Sequence, residues 1–258
     1  MRAKKNLGQH FLKDQNIARK IVGSLRQEAH PRILEIGPGM GVLTRYLLEI
    51  PGVDLRVVEI DTESVIYLRS HFPGIADRVV EGDFLKIPLQ GLFPGPFSVI
   101  GNFPYNISSQ IFFRILEHRD LAGEVVGMVQ KEVAERISAP PGNRTYGIMS
   151  VLLQAFYDIE YLFTVGEQVF SPPPRVKSAV IRLRRNERHS LACDEKLFFT
   201  VVKSAFNQRR KMLGNALKPL GIKVPEEFAG RRAEQLSPME FELLTRQLEQ
   251  LKGGSHEF

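Results

Sequence analysis

Short apolar segments alternate with longer amphipathic segments along the first half of the chain. The apolar segments predict strands at residues 32–36, 54–60, 78–83, 97–102 and 124–130. The segments with apolar side chains at every third or fourth position predict helices at residues 15–28, 41–50, 62–72, 108–118 and 131–137. Fully apolar strands that alternate with helices are typical of a parallel sheet covered on both faces. The pattern therefore predicts an α/β fold with ligands at the carboxyl ends of the strands.

The pattern changes in the second half of the chain. Segments 157–165 and 178–185 predict two more strands that suit an antiparallel hairpin at one edge of the sheet. The proline-rich sequence FSPPPRVKS between them excludes regular structure. Beyond about residue 190, apolar positions follow helical spacing without intervening strands. We therefore predict a large first domain, a small all-α domain and a flexible tail, at residues 1–189, 190–252 and 253–258.

Basic charge is concentrated in two segments. Residues 1–20 carry a formal net charge of +5 and residues 182–211 carry +6, whereas the whole chain carries +6. The remaining sequence is therefore acidic, with a net charge of −5. Clustered basic charge on an acidic body indicates a surface for a polyanion such as nucleic acid. A solvated charged face without a ligand is the alternative interpretation.

Other features of the composition exclude several classes of protein. The chain has one cysteine, so an intrachain disulfide and a zinc site built from cysteine clusters are excluded. Its N-terminus does not resemble a secretory signal, and its apolar stretches are shorter than the roughly 18 residues of a membrane span. We expect a cytoplasmic protein with no membrane partner and no metal, and a monomer.

Three glycines, Gly37, Gly39 and Gly41, follow the first predicted strand of the sheet. Glycine allows a sharp turn from strand to helix and the close approach of a ligand to bare backbone, which suits a nucleotide. A turn required only for packing is the alternative. The third glycine comes one residue earlier than in the dinucleotide fingerprint, and this spacing disfavours an NAD-dependent oxidoreductase.

Two acidic residues stand at the ends of the next two predicted strands. Glu59 is placed to accept hydrogen bonds from both ribose hydroxyls of an adenosine. Asp83 is placed to accept a hydrogen bond from an adenine amino group. A surface carboxylate at position 59 and a helix cap at position 83 are the alternatives. Ligand-type groups at three successive strand ends together favour a binding site.

The sequence Asn102-Phe103-Pro104-Tyr105 ends the fourth predicted strand. The exocyclic amine of adenine is a poor nucleophile because its lone pair is delocalised into the ring. The Asn102 side-chain oxygen and the Pro104 carbonyl are suited to accept its two hydrogens, and Tyr105 offers a face on which an extruded base can stack. Such a site requires no catalytic histidine or metal. An Asx-type turn that opens helix 108–118 is the alternative.

Seven segments resemble the ribosomal RNA adenine dimethylase family in order and spacing: GQHFL (8–12), EIGPGMGVLT (35–44), VEID (58–61), EGDF (81–84), GNFPYNIS (101–108), FSPPPRVKSAVIRL (170–183) and AFNQRRKMLGNAL (205–217). The resemblance covers roughly residues 4–220. It implies a Rossmann-like methyltransferase fold and S-adenosylmethionine as the methyl donor. It also implies that the basic leader (residues 1–13), which precedes the first strand, folds over the donor.

The resemblance assigns roles to individual residues. The residues that match donor contacts are His10, Leu12, Gly37, Gly39, Glu59, Asp83 and Asn102. Phe170 matches an aromatic residue placed against the target base opposite Tyr105, with a buried edge aromatic as the alternative. The chain departs from the family at position 10, where Asn is frequent, and at position 103, where Leu is frequent. A donor contact of His10 through its backbone is therefore expected rather than one through its side chain.

The resemblance leaves two main branches, which modify small-subunit and large-subunit ribosomal RNA. The segments after residue 170 favour the small-subunit branch. That branch implies N6,N6-dimethylation of two adjacent adenosines in the 3′-terminal helix loop of 16S rRNA. It also implies a pre-30S particle as the partner and a role in subunit biogenesis. Residues expected to contact RNA phosphates are Lys4, Lys5, Arg209, Arg210 and Lys211. A DNA adenine methyltransferase and a non-catalytic ribosome-assembly factor remain alternative functions.

Overall fold

A computed structural model describes residues 8–26, 31–221 and 223–253 of the chain. These residues form two compact units. Unit 1 contains the chain up to Ala134 together with Asp158–Arg185, and unit 2 contains Glu135–Tyr157 together with the chain from Asn186 onward.

The core of unit 1 is a seven-stranded sheet. Its strands are β2 (Arg32–Ile36), β3 (Asp54–Glu59), β4 (Val79–Glu81), β5 (Phe97–Asn102), β6 (Ala122–Gln130), β7 (Tyr157–Val165) and β9 (Ser178–Arg185). They lie in the order β4-β3-β2-β5-β6-β9-β7. Strands β2 to β6 pair in parallel, and β9 pairs antiparallel with β6. The predicted α/β class with a mainly parallel sheet and an antiparallel edge is therefore confirmed.

The register of the parallel strands brings their carboxyl ends to one edge. Ile36 on β2 is paired with Val58 on β3, and Glu59 is paired with Glu81 on β4. The strand β5 extends to Asn102, opposite Met128 on β6. Polar residues that are separated by many positions in sequence consequently lie along the same edge of the sheet.

The helices are α1 (Gln15–Val22), α2 (Thr44–Leu47), α3 (Thr62–His71), α4 (Ser108–Glu117), α5 (Lys131–Ser138), α6 (Ile148–Gln154), α7 (Glu195–Asn207), α8 (Leu213–Ala216), α9 (Glu226–Ala229) and α10 (Pro238–Gly253). Asp14 caps α1 by accepting the N–H groups of Asn16 and Ile17. The helix α2 is shorter than the predicted 41–50, and the left-handed backbone of Gly41 (φ 74°) excludes that residue from a right-handed helix.

A two-stranded sheet joins the leader to the proline-rich segment. Strand β1 (Phe11–Leu12) pairs antiparallel with β8 (Phe170–Ser171), with Leu12 opposite Phe170. The Lys13 N–H donates to the Val169 carbonyl at 2.8 Å and extends the contact. Strands of two residues carry no periodic signal, so the sequence pattern did not predict this pairing.

Unit 2 is helical and includes a segment that the sequence analysis placed in the first domain. Residues 135–157 pack with the C-terminal helices: the rings of Tyr146 and Phe206 meet edge to face at 6.0 Å, and Gly142 N–H donates to the Glu234 carbonyl at 2.6 Å. Arg188 pairs with Glu242 on α10. Among the described residues, no helix is long and apolar enough to cross a membrane.

Candidate active site

An open cavity lies at the carboxyl ends of the parallel strands in unit 1. The leader, the glycine loop after β2 and the ends of β3, β4 and β5 contribute its walls. The predicted site residues that line it are His10, Leu12, Gly37, Gly39, Glu59, Asp83, Asn102, Pro104 and Tyr105. The fold thus brings together nine of the ten predicted catalytic and donor-binding residues.

The glycine loop presents bare backbone to this cavity. Gly37, Gly39 and Gly41 have φ angles of 64°, 55° and 74°, which side chains with a Cβ atom rarely adopt. A Cβ atom on Gly37 would meet nothing within 4 Å, so the space beside it is open to a ligand. A Cβ atom on Gly39 would lie 3.0 Å from the Phe11 ring, so this glycine allows the leader to pack against the loop.

Glu59 is almost fully buried at the end of β3, with 4% of its surface exposed. Its Oε2 accepts the Gly39 N–H at 3.0 Å, and its Oε1 accepts the N–H groups of Ile60 and Asp61 at 2.9 and 3.0 Å. Burial raises the pKa of this carboxyl, and the three backbone hydrogen bonds partly offset the effect. The carboxylate therefore holds the glycine loop in place while it faces the cavity.

Asp83 lies beside the end of β4, where it caps a turn and lines the cavity. Its Oδ1 accepts the Leu85 N–H at 2.9 Å and caps the following turn. Its Oδ2 lies 3.7 Å from Nζ of Lys86, whose side chain is 84% exposed. Because Asp83 also lines the cavity, capping the turn does not prevent contact with a ligand.

Asn102 is held by the leader at the end of β5. Its Nδ2 donates to the main-chain carbonyl of His10 at 2.9 Å. Since a carbonyl can only accept, the NH₂ group must face His10, and Oδ1 is the atom that can accept from a ligand. The Pro104 carbonyl accepts the Ile107 N–H at 3.1 Å and retains a second lone pair for a ligand.

Tyr105 is half-buried and fixed at two points. Its hydroxyl is hydrogen-bonded to Ser178 Oγ at 2.6 Å. Its ring is stacked with the imidazole of His10, with 5.3 Å between the ring centroids and 29° between the planes. Burial is the main cause of the raised pKa of the phenol, so the ring faces the cavity as a neutral aromatic surface.

Residues 1–237 match the model of a family described as ribosomal RNA adenine dimethylase. The chain belongs to this family. It is 58% identical to the ribosomal RNA small subunit methyltransferase A of Parabacteroides distasonis over 95% of the chain and 93% of that protein. It is also 58% identical to the protein of the same name from Cytophaga hutchinsonii, over 96% of the chain and 98% of that protein.

Two solved structures to which the chain is similar share its fold. A dimethyladenosine transferase from Plasmodium falciparum superposes with a TM-score of 0.80 at 25% identity, and the match covers 94% of the chain and 98% of that structure. The 23S rRNA methyltransferase ErmE superposes with a TM-score of 0.72 at 25% identity, over 93% of the chain and 99% of that structure. The Rossmann-like methyltransferase fold that the resemblance implied is thereby confirmed.

In this dimethylase the structure does not bring Phe170 into the cavity. Phe170 is 1% exposed and belongs to the hydrophobic core together with Leu12, Val165, Val169 and Val180. Its position in β8 opposite Leu12 turns the ring into that cluster. The structure therefore does not support the predicted stacking of Phe170 on the target base. The alternative interpretation, a buried aromatic side chain at the edge of the sheet, fits the observed burial of this ring.

Glu35 is a cavity residue to which the sequence analysis gave no role. It is 1% exposed at the end of β2, and Thr44 Oγ1 donates to its Oε2 at 2.6 Å. Burial raises the pKa of the Glu35 carboxyl to about 8, and the nearby charge of Glu59 adds to the shift. A carboxylate within the apolar strand RILEI, directly before the glycine loop, was the signal in the sequence.

None of the predicted RNA-binding residues that the structure describes lines this cavity. Lys4 and Lys5 fall outside the described residues. In unit 2, Arg209 is half-buried, lies 3.7 Å from the Glu234 carboxylate and donates to the Asn143 carbonyl at 3.4 Å. Arg210 and Lys211 are exposed. Of the triplet, the last two side chains are thus the ones available to a phosphate.

Proposed function

We propose that this dimethylase transfers methyl groups from S-adenosylmethionine to N6 of two adjacent adenosines in the 3′-terminal helix loop of 16S rRNA, twice at each base. The observation that carries the proposal is the arrangement of Asn102, Pro104 and Tyr105 at the strand end beside Gly37 and Glu59. The small-subunit target follows the names of the relatives at 54–58% identity. ErmE, whose name specifies 23S rRNA, is 25% identical to the chain.

The residues of the cavity fit a nucleoside donor. The open backbone at Gly37 admits a ligand at contact distance. Glu59 accepts three backbone hydrogen bonds and retains one lone pair on Oε2 for a ribose hydroxyl. Asp83 lines the cavity, and its carboxylate can accept a hydrogen bond from an adenine amino group beside the one from Leu85 N–H. When bound, the donor supplies a methyl group on a sulfonium, which is already an electrophile.

Asn102 and Pro104 prepare the target amine. In the first transfer, Asn102 Oδ1 and the Pro104 carbonyl accept the two N6 hydrogens and draw the nitrogen from planar toward tetrahedral geometry. In the second transfer, one of these acceptors holds the single hydrogen that remains. The nitrogen lone pair is thereby directed out of the ring system and toward the methyl group. Tyr105 stacks on the extruded base, a contact worth roughly 1–3 kcal/mol. The methylated nitrogen is a cation and loses its proton to water, so these acceptors only hold the hydrogens.

The basic helical unit provides contacts to the RNA backbone. Arg210 and Lys211 are exposed cations that suit phosphate groups. Binding of a pre-30S particle by a monomer in the cytoplasm is part of the proposal.

The test is methylation of small subunits that lack this modification. After incubation with the protein and donor, we expect mass spectrometry to show dimethyladenosine at two adjacent positions of 16S rRNA. Asn102→Ala should lower the rate of methylation at least about tenfold, because it removes an oriented catalytic contact. Parallel reactions contain large subunits, free rRNA and DNA. Preferential methylation of large subunits or DNA would contradict the assigned target. Donor binding without transfer to any substrate would favour the assembly-factor alternative.

A further inference from the structure

His10, in the leader, makes two contacts with the Asn102–Tyr105 turn and one with the proline-rich segment. Its main-chain carbonyl accepts Asn102 Nδ2–H at 2.9 Å. Its imidazole is stacked with the Tyr105 ring, at a centroid distance of 5.3 Å. Its Nδ1–H donates to the Pro172 carbonyl at 2.9 Å. One leader residue thus touches the amide that accepts from the target amine, the aromatic ring that receives the base and the proline-rich segment.

We propose that the His10 side chain is a positioning residue for the target base, acting through Tyr105. The imidazole covers one face of the phenol ring and leaves the opposite face for the adenine. This inference rests on the proposed adenine methylation and adds to it the residue that selects the stacking face.

Two contacts fix the imidazole and the phenol relative to each other. The Pro172 carbonyl has no proton to donate, so Nδ1 of His10 carries one, and this hydrogen bond sets the plane of the imidazole. The Tyr105 hydroxyl is fixed by Ser178, which is fully buried at the start of β9. Rotation of the phenol therefore requires loss of a hydrogen bond and of the stacked contact.

The main chain and the side chain of His10 serve different partners. The hydrogen bond to Asn102 uses the carbonyl of residue 10, so it is compatible with any side chain at that position. The contacts to Tyr105 and Pro172 require the imidazole. Replacement of the side chain should thus disturb the base-stacking face while leaving the amide acceptor in place.

The test uses three variants of the full chain. His10→Ala removes the ring and the donor, His10→Phe keeps a ring without a donor, and His10→Asn keeps a donor without a ring. The matched control is His71→Ala, which removes a histidine–tyrosine stack with Tyr67 in α3, away from the cavity. Affinity for S-adenosylhomocysteine, kcat and KM for unmodified small subunits, and the unfolding temperature are measured for each protein.

We expect His10→Ala and His10→Asn to lower kcat/KM for small subunits by about two- to tenfold, the scale of one aromatic stack. His10→Phe should restore the value to within about twofold, and affinity for S-adenosylhomocysteine should stay within about twofold in all variants. Full activity of His10→Asn, failure of His10→Phe to recover, or a parallel loss of donor-product affinity would each overturn the inference. Inactivity of the unaltered chain on every RNA would refute the proposed function itself and this inference with it.

Discussion

Two buried carboxylates face one cavity from neighbouring strands. Glu35 is the penultimate residue of β2 and Glu59 is the last residue of β3, and they are 1% and 4% exposed. The pKa of each is raised, chiefly by burial. Glu59 is surrounded by three backbone N–H donors, whereas Glu35 receives one hydroxyl hydrogen bond from Thr44. Protonation at neutral pH is therefore favoured at Glu35.

The stability of the protein should report the protonation of Glu35. Its pKa rises from about 4.5 in the unfolded chain to about 8 in the fold. Between these values the folded chain holds an extra proton, so this group's stabilising contribution is complete below pH 4.5 and decreases as the pH rises to 8. The loss is up to about 1.4 kcal/mol per pH unit. Glu35→Gln stays neutral and should show a weaker decrease.

Urea denaturation at pH 5, 6, 7 and 8 measures this effect. Glu117→Gln is the control, because its carboxylate is 65% exposed on α4. Equal pH slopes for the unaltered chain and Glu35→Gln would show that Glu35 is ionised throughout.

Donor affinity should depend on the Glu59 carboxylate. Glu59→Ala removes an acceptor for ribose hydroxyls and releases the Gly39 N–H, so we expect binding of S-adenosylhomocysteine to weaken by roughly 1.5–3 kcal/mol. Titration calorimetry measures the change. Glu81→Ala, at the paired position on β4 and outside the cavity lining, should bind as the unaltered chain does. Unchanged affinity of Glu59→Ala would remove this residue from the donor site.

At the scale of elements, β5 and β6 leave room for the ring of Phe103. Phe103 is 1% exposed, and a Cβ atom on Gly101 or Gly127 would lie within 2.9 Å of its ring. Phe103 also meets Phe112 of α4 edge to face at 5.7 Å. The two strand glycines explain how this chain accommodates Phe where Leu is frequent in the family.

Gly127→Ala should therefore destabilise the fold through the Phe103 ring. The added methyl group would lie 2.7 Å from Phe103 Cε2, and overpacking of this kind costs roughly 1–3 kcal/mol. Adding Phe103→Leu to the same chain should recover part of the loss, because the smaller side chain vacates the space. Chemical denaturation measures both. Gly123→Ala, on the same strand with nothing within 4 Å of its Cβ, is the control, and an equal cost there would refute the steric explanation.

At the scale of the whole molecule, the charge of +6 arises from basic segments on an otherwise acidic chain. One of these segments contains the exposed side chains of Arg210 and Lys211 in unit 2. The cavity proposed to bind the donor lies in unit 1. RNA affinity and donor affinity should therefore respond to different substitutions.

Combined replacement of Arg210 and Lys211 by Ala should weaken binding to small subunits and lower the dependence of log affinity on log salt concentration by roughly one to two units. Affinity for S-adenosylhomocysteine should not change. Lys223→Ala, an exposed lysine of unit 2 outside the basic segment, is the matched control. A salt dependence equal to that of the unaltered chain would exclude these two residues from phosphate contact.

The sequence by itself determined the α/β sheet and most of the residues that meet at the cavity. Strand and helix patterns are local, and the carboxyl ends of parallel strands must share an edge, so the Gly37 loop, Glu59, Asp83 and Asn102 were brought together without knowledge of tertiary contacts. The chemical character of the Asn102–Tyr105 turn was likewise readable from its residues.

Only the tertiary structure decided the features that depend on contacts between residues far apart in the sequence. The pairing of Leu12 with Phe170 buried a ring that sequence reasoning had assigned to the target base. The contacts of residues 135–157 placed them with the C-terminal helices. The stack of His10 on Tyr105 joins residues 95 positions apart. Such contacts leave no periodic trace in the sequence, because they depend on which surfaces meet after the strands and helices have formed.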